Sequence, residues 1–215
     1  KYRKKLGDAA QADETDFARE RQSTTRLTQN NPAYAGMVQS LNEAVGKVVD
    51  TLKAMGMYEE TVVIFMSDNG GLSTLPGRRR GPTSNLPLRA GKGWLYEGGI
   101  REPMLIRWPG VTPPGSVCRE PVISTDFYPT ILEMAGLPLQ PGQHADGISL
   151  VPLLRGENRL ERRALFWHYP HYHGSGWTPG GAVRAGDYKL IEFFEEEKIE
   201  LYNLRQDLGE QHDLR

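Results

Sequence analysis

Thr61-Val62-Val63-Ile64-Phe65-Met66, closed through Ser67 by Asp68-Asn69-Gly70-Gly71, is the stretch that decides the fold. Its unbroken apolarity is the pattern of a strand covered on both faces, as in a sheet layered with helices. Upstream, Asn31-Pro32 offers a side-chain acceptor for the first free amides of a helix and a proline suited to its first turn. Met37, Leu41, Ala44, Val48, Leu52 and Met55 then recur at steps of three and four, an apolar stripe on a helix that Gly56 ends. A helix followed within a few residues by a buried strand is the repeating unit of an α/β layer fold.

Working outward, Gly70 to Gly99 reads mostly as loop, because Pro76-Gly77, Gly81-Pro82 and Pro87 resist regular structure. Met104 to Trp108 is a short strand closed by Pro109-Gly110, and Pro121-Val122-Ile123 introduces another. Asp126 is placed to cap a helix running through Ala135, with Gly136 as its stop. After Ala164 the texture changes to short strands at Ala164 to His168, Ala182 to Arg184, Tyr188 to Phe194 and Ile199 to Tyr202, simplest as hairpins of a small antiparallel sheet. The expected organisation is a polar connector or partial helix over 1–31, a central α/β region over 32–160 and an antiparallel subdomain over 161–215.

With 26 Lys+Arg against 27 Asp+Glu, the chain has no global electrostatic reason to bind nucleic acid. No apolar stretch reaches the roughly twenty residues of a membrane span. Cys118 is alone, which rules out an internal disulfide and a cysteine metal cluster. Lys1-Tyr2-Arg3-Lys4-Lys5 carries no initiator Met and no apolar segment behind it, so the chain is expected to be cut from a longer protein.

Several residues carry chemistry, each with a plainer alternative. The carboxylate of Asp68 and the amide of Asn69 are ligand types for a hard cation such as calcium or magnesium, although two ligands do not complete a shell of six or more oxygens. The same pair also suits an Asx-turn. Lys92, between Gly91 and Gly93, can bring an ammonium close to an anionic oxygen or simply face solvent. It is not a P-loop lysine, since Leu86 stands where the first glycine belongs and Gly93 where Ser or Thr would bind magnesium. Arg78 to Arg80 form a basic loop that could attract a sulfated or phosphorylated chain or merely be solvated.

His168, His171 and His173 stand among Trp167, Tyr169, Tyr172 and Trp177, a spacing open to zinc but better suited to a loop lining a carbohydrate or aryl site. His171 or His173 is the preferred substrate-side donor; His144 is a donor or a turn closer. Glu195 to Glu197 read as an acidic hairpin tip, and Cys118 has no partner that would make it a nucleophile.

Taken in order, these segments resemble the later portion of the type I sulfatase family, within the alkaline phosphatase superfamily. The likeness runs from Tyr34-Ala35-Gly36-Met37 and Leu41 to Gly46 through Val63 to Gly71, Gly91-Lys92-Gly93 and Tyr96 to Pro103. It continues in Thr125 to Thr130, Asp146 to Leu150, Glu200 to Leu204 and Gly209-Glu210. The resemblance implies part of a mixed α/β sheet with helices, followed by a small antiparallel C-terminal sheet. It also implies a calcium site, with magnesium the second choice, to which Asp68 and Asn69 contribute, and a sulfate contact for Lys92.

The family's nucleophile is a formylglycine made from Cys or Ser in a Cys/Ser-x-Pro-x-Arg motif, and here Cys118 is followed by Glu120 and Val122 instead. The early metal-binding aspartates and catalytic histidines of the family are likewise not found, and Leu208 replaces the proline usual before Gly209-Glu210. The implied protein is a sulfatase acting on sulfated saccharide or another sulfate ester, with the formylglycine in a missing N-terminal portion or on another chain, and with this chain inactive alone. A phosphate or phosphonate ester hydrolase of the same superfamily and a noncatalytic carbohydrate-binding relic are the alternatives. Family resemblance suggests a periplasmic, secreted or lysosomal location.

Overall fold

The computed structural model describes residues 1–7 and 13–215. Along the chain run α1 (Tyr2–Leu6), β1 (Phe17–Glu20), β2 (Ser23–Arg26), α2 (Pro32–Ala54), β3 (Val63–Met66), β4 (Thr74–Pro76) and α3 (Glu97–Ile100). Next come β5 (Met104–Arg107), α4 (Phe127–Met134), α5 (Val151–Leu154), β6 (Leu165–Tyr169), β7 (Gly180–Ala185), β8 (Tyr188–Phe193) and β9 (Lys198–Asn203). The strands form three sheets, ordered β1-β2-β4, β3-β5 and β6-β7-β8-β9, and every described pair is antiparallel.

The start of α2 is as its sequence dictates. Asn31 Oδ1 accepts from the amides of Ala33 (3.0 Å) and Tyr34 (3.2 Å), two donors with no partner inside the helix. Asn31→Ala is expected to cost about 1 kcal/mol, read as a lower urea midpoint with an unchanged m-value. The helix ends before Gly56, whose φ of 68° suits a residue without a Cβ.

The apolar stripe of α2 packs on little. The helix has no buried residue, and Met37, Leu41 and Val48 are 67%, 54% and 60% exposed. The covering expected on both faces of the Thr61 to Met66 strand is also absent among the described residues. β3 pairs only with β5, its residues are half-buried or exposed, and Leu105 beside it is 64% exposed. Continuous apolarity is a statement about the environment a strand requires, which here is larger than what this chain supplies.

The core lies elsewhere, between the 90–97 segment and the C-terminal sheet. Ala90, Trp94, Leu95 and Tyr96 pack with Trp177, Ala182, Ile191, Phe193, Tyr202 and Leu204. Trp94 stands edge-on to Trp177 at 5.8 Å between centroids and stacks on Tyr96 at 6.0 Å; Trp177 meets Phe193 at 5.1 Å. Burying each large apolar side chain contributes about 1.5–3 kcal/mol, so this cluster fixes where the Lys92 segment sits.

Four expectations need correction. The polar 1–31 segment is more than a connector or partial helix, although residues 8–12 of it lie outside the described residues. It contains the β1-β2 hairpin, turned by Arg21 at φ 54°, and Glu20 buried on it pairs bidentately with Arg89 at 2.7 and 2.8 Å. Pro121 to Ile123 form no strand, because the Ile123 amide is taken by Asp126 Oδ2 at 2.9 Å. Asp126 itself does not cap the following helix; fully buried, it accepts from Ile148 N at 3.0 Å and pairs with Arg162 through both guanidinium nitrogens. A short strand, β4, also interrupts the expected Gly70 to Gly99 loop and extends the hairpin sheet.

Candidate functional site

The Asp68-Asn69 loop and the Lys92 loop meet backbone to backbone. Gly70 N donates to Gly99 O at 3.3 Å, and Lys92 N donates to Gly71 O at 3.2 Å. A Cβ on Gly70 would fall 1.7 Å from Gly98 O, a distance no side chain allows, so glycine is required for the approach. Asn85 fastens the two loops: its Oδ1 accepts from Gly71 N at 3.1 Å, while Nδ2 donates to Gly71 O and Ala90 O at 2.8 Å each.

Asp68 is exposed at the exit of β3, and among the described residues its carboxylate accepts no hydrogen bond. Asn69 donates through Nδ2 to Gly70 O at 3.1 Å, while its Oδ1 accepts no hydrogen bond among the described residues. Neither side chain closes an Asx-turn. Glu102 adds a second carboxylate: burial, and then the charge of Asp68, push its carboxyl up to about 7, and its Oε1 is buried without a hydrogen bond among the described residues. Two neighbouring carboxylates and an amide oxygen fit a hard cation by chemistry. Among the described residues no cluster of three or more His, Cys, Asp or Glu side chains able to hold a metal is formed.

Lys92 is exposed on a segment whose next residues are buried, and no hydrogen bond or ion pair ties down its ammonium among the described residues. The His-rich segment divides on the structure. His173 lies against this loop: a Cβ on Gly93, whose φ is 82°, would meet His173 Nδ1 at 2.0 Å. His171 is exposed and turned edge-on to Tyr169 at 5.7 Å, and His168 is exposed near Phe194 at 5.9 Å. His144 closes a turn, accepting from Gln140 N at 3.2 Å. Arg79 donates to Gly174 O at 2.9 Å and Arg80 pairs with Glu14 at 3.2 Å, so the basic loop serves local contacts. Cys118 is exposed.

Behind the loops lies a charged network that spacing did not reveal. Lys189, fully buried, sits 3.0 Å from Glu97 Oε1 and 2.8 Å from Glu210 Oε1, and Glu210 Oε2 accepts from Glu97 N at 2.7 Å. Burial pushes Glu210 up to about 6 against the pull of Lys189. Burial would raise Glu97 as well, but Lys189, Arg184 and Arg101 hold it below its ordinary value. A second network joins Arg89 to Glu20, to Tyr202 Oη at 3.0 Å and to Glu210 O at 2.8 Å, with the guanidinium 3.9 Å over the Tyr96 ring.

Comparison with known proteins agrees with this architecture. Residues 3–137 match the Sulfatase family model, and residues 90–215 match that of N-sulphoglucosamine sulphohydrolase, C-terminal. A sulfatase of Formosa agariphila is 42% identical over 199 residues, covering 84% of this chain and 35% of that protein. Arylsulfatase A of Homo sapiens is 42% identical over 161 residues, covering 74% of this chain and 30% of that protein. The solved structure of Ps i-CgsB in complex with k-i-k-neocarrahexaose superposes with a TM-score of 0.73 at 34% identity, covering 87% of this chain and 39% of that one. The chain thus spans about a third of the relatives it matches, and within that span it belongs to the sulfatase family.

Proposed function

We propose that the complete protein hydrolyses sulfate esters of carbohydrate, with Asp68 and Asn69 as ligands of a calcium ion and Lys92 as the cation that binds a sulfuryl oxygen. The observation that supports this reading is the backbone contact of the two loops, which joins the segments carrying Asp68, Asn69 and Lys92 in a chain of the sulfatase family. The saccharide in the Ps i-CgsB structure supports the substrate class. Calcium would supply fixed positive charge, and a formylglycine in the remaining sequence the nucleophile.

This chain's own residues do the rest. The Lys92 ammonium offsets negative charge on the transferring group, and its glycine neighbours let the segment pack closely on Gly71 O and the His173 ring. His171 and His173 form a wall of the substrate pocket. The bare faces of α2 and of the β3-β5 pair are where the remaining sequence packs, and without the formylglycine it would supply this chain alone is inactive.

The test is turnover of 4-nitrophenyl sulfate and 4-nitrophenyl phosphate by the complete protein, with and without a calcium chelator. Sulfate turnover lost on chelation and restored by calcium is the expected result, with none from residues 1–215 alone. Faster phosphate cleavage would instead favour the phosphate or phosphonate ester hydrolase, and turnover of neither ester the binding relic.

A further inference from the structure

His173 is held in one tautomer by the turn that carries it. The backbone N–H of Ser175, which can only donate, points at His173 Nδ1 from 3.1 Å, and the Ser175 hydroxyl lies 2.8 Å from the same nitrogen. An Nδ1 that accepts a hydrogen bond bears no proton, so in the neutral ring the proton is on Nε2. Ser175 is fully buried and cannot swing away: its carbonyl accepts from Trp94 Nε1 at 3.3 Å and from Ser23 Oγ at 3.4 Å. The turn is closed by His173 N to Trp177 O at 3.1 Å and Gly176 N to His173 O at 2.9 Å.

The same ring rests on Gly93, next to Lys92, with Cγ and Cε1 each 2.5 Å from where a Cβ would stand. Nε2 makes no hydrogen bond among the described residues. We propose that Ser175 is a positioning residue that fixes His173 as an Nε2–H donor, and that this donor binds an oxygen of the sulfate ester beside the one held by Lys92. This assignment rests on the sulfatase reading and deepens it. A donor locked in this way costs no tautomer change on binding.

The experiment combines a spectrum with kinetics on the complete protein. Two-bond ¹⁵N–¹H correlation of histidine-labelled protein is expected to show His173 protonated at Nε2, and still so in Ser175→Ala, which loses the hydroxyl but keeps the backbone N–H that fixes the tautomer. Inorganic sulfate is expected to shift the His173 Nε2 signal. With 4-nitrophenyl sulfate, His173→Ala is expected to raise KM by about 10- to 100-fold. His173→Gln, whose amide N–H reaches towards the Nε2 position, should recover most of that loss. His173→Asn, which can still accept from Ser175 but has no far donor, should recover none. An Nδ1–H ring in the wild-type protein, or equal effects of Gln and Asn, overturns the assignment while leaving sulfate ester hydrolysis intact. If the complete protein turns over no sulfate ester, the sulfatase reading fails, and the tautomer and the sulfate titration decide this one: an unmoved Nε2 signal ends it.

Discussion

Lys92→Ala in the complete protein is expected to lower kcat/KM for 4-nitrophenyl sulfate by about 10²- to 10³-fold, the scale of removing one preorganised donor from a developing oxyanion. The side chain is exposed and has no partner among the described residues, so its truncation leaves no buried group unpaired. The melting temperature should therefore stay within about a degree of the wild type while activity falls. Because the ammonium acts on charge that grows along the reaction, kcat should carry more of the loss than KM. An unchanged kcat/KM would reject the role given to Lys92.

The second large effect is on stability. Lys189→Met is expected to cost about 3–5 kcal/mol, because it strands Glu97 and Glu210 in a fully buried site without their shared ammonium. The sign of the pH dependence separates this cause from packing. Glu210 already has a folded-state pKa of about 6 against an ordinary value of 4.5, so it penalises the folded state above pH 6 and relents as the pH falls towards 4.5. Glu97, held low in the wild type, contributes stability above its ordinary value of 4.5 that is lost on acidification.

Without the ammonium both carboxyls rise. The deficit of the variant should be largest at pH 7 and shrink towards pH 5, and Lys189→Met with Glu210→Gln should recover part of it. Urea unfolding of the complete protein at the two pH values checks this. A deficit that does not change with pH would assign the cost to lost packing instead.

The sequence spoke most clearly where a local rule suffices. Asn31-Pro32 and Gly56 bound α2 because capping and chain termination depend only on nearby atoms. The C-terminal strands were legible as short strand-forming runs separated by turns. The β1-β2 hairpin was not, because its turn uses Arg21 at positive φ where Asn or Gly gives the usual signal. Lys189 shares the inward face of β8 with Ile191 and Phe193, a position that reading Tyr188 to Phe194 as a short strand did not mark. Its partners, at positions 97 and 210, lie too far along the chain for spacing to indicate them. Ser175 was equally silent: a serine two residues after a histidine becomes informative only when the turn is closed.

Gly70 seated on Gly98 also bears on where the chain tolerates substitution. A side chain at Gly70, Gly91 or Gly98 would drive its Cβ into a backbone carbonyl oxygen, so substitution at these glycines is expected to force the two loops apart. His168, His171 and Tyr172 are exposed beside Phe194, Tyr169 and Glu195 in turn, where bulk and polarity can be exchanged at little cost in folding. Randomised libraries confined to those three positions are therefore expected to yield folded variants in which the proposed substrate wall can be tested.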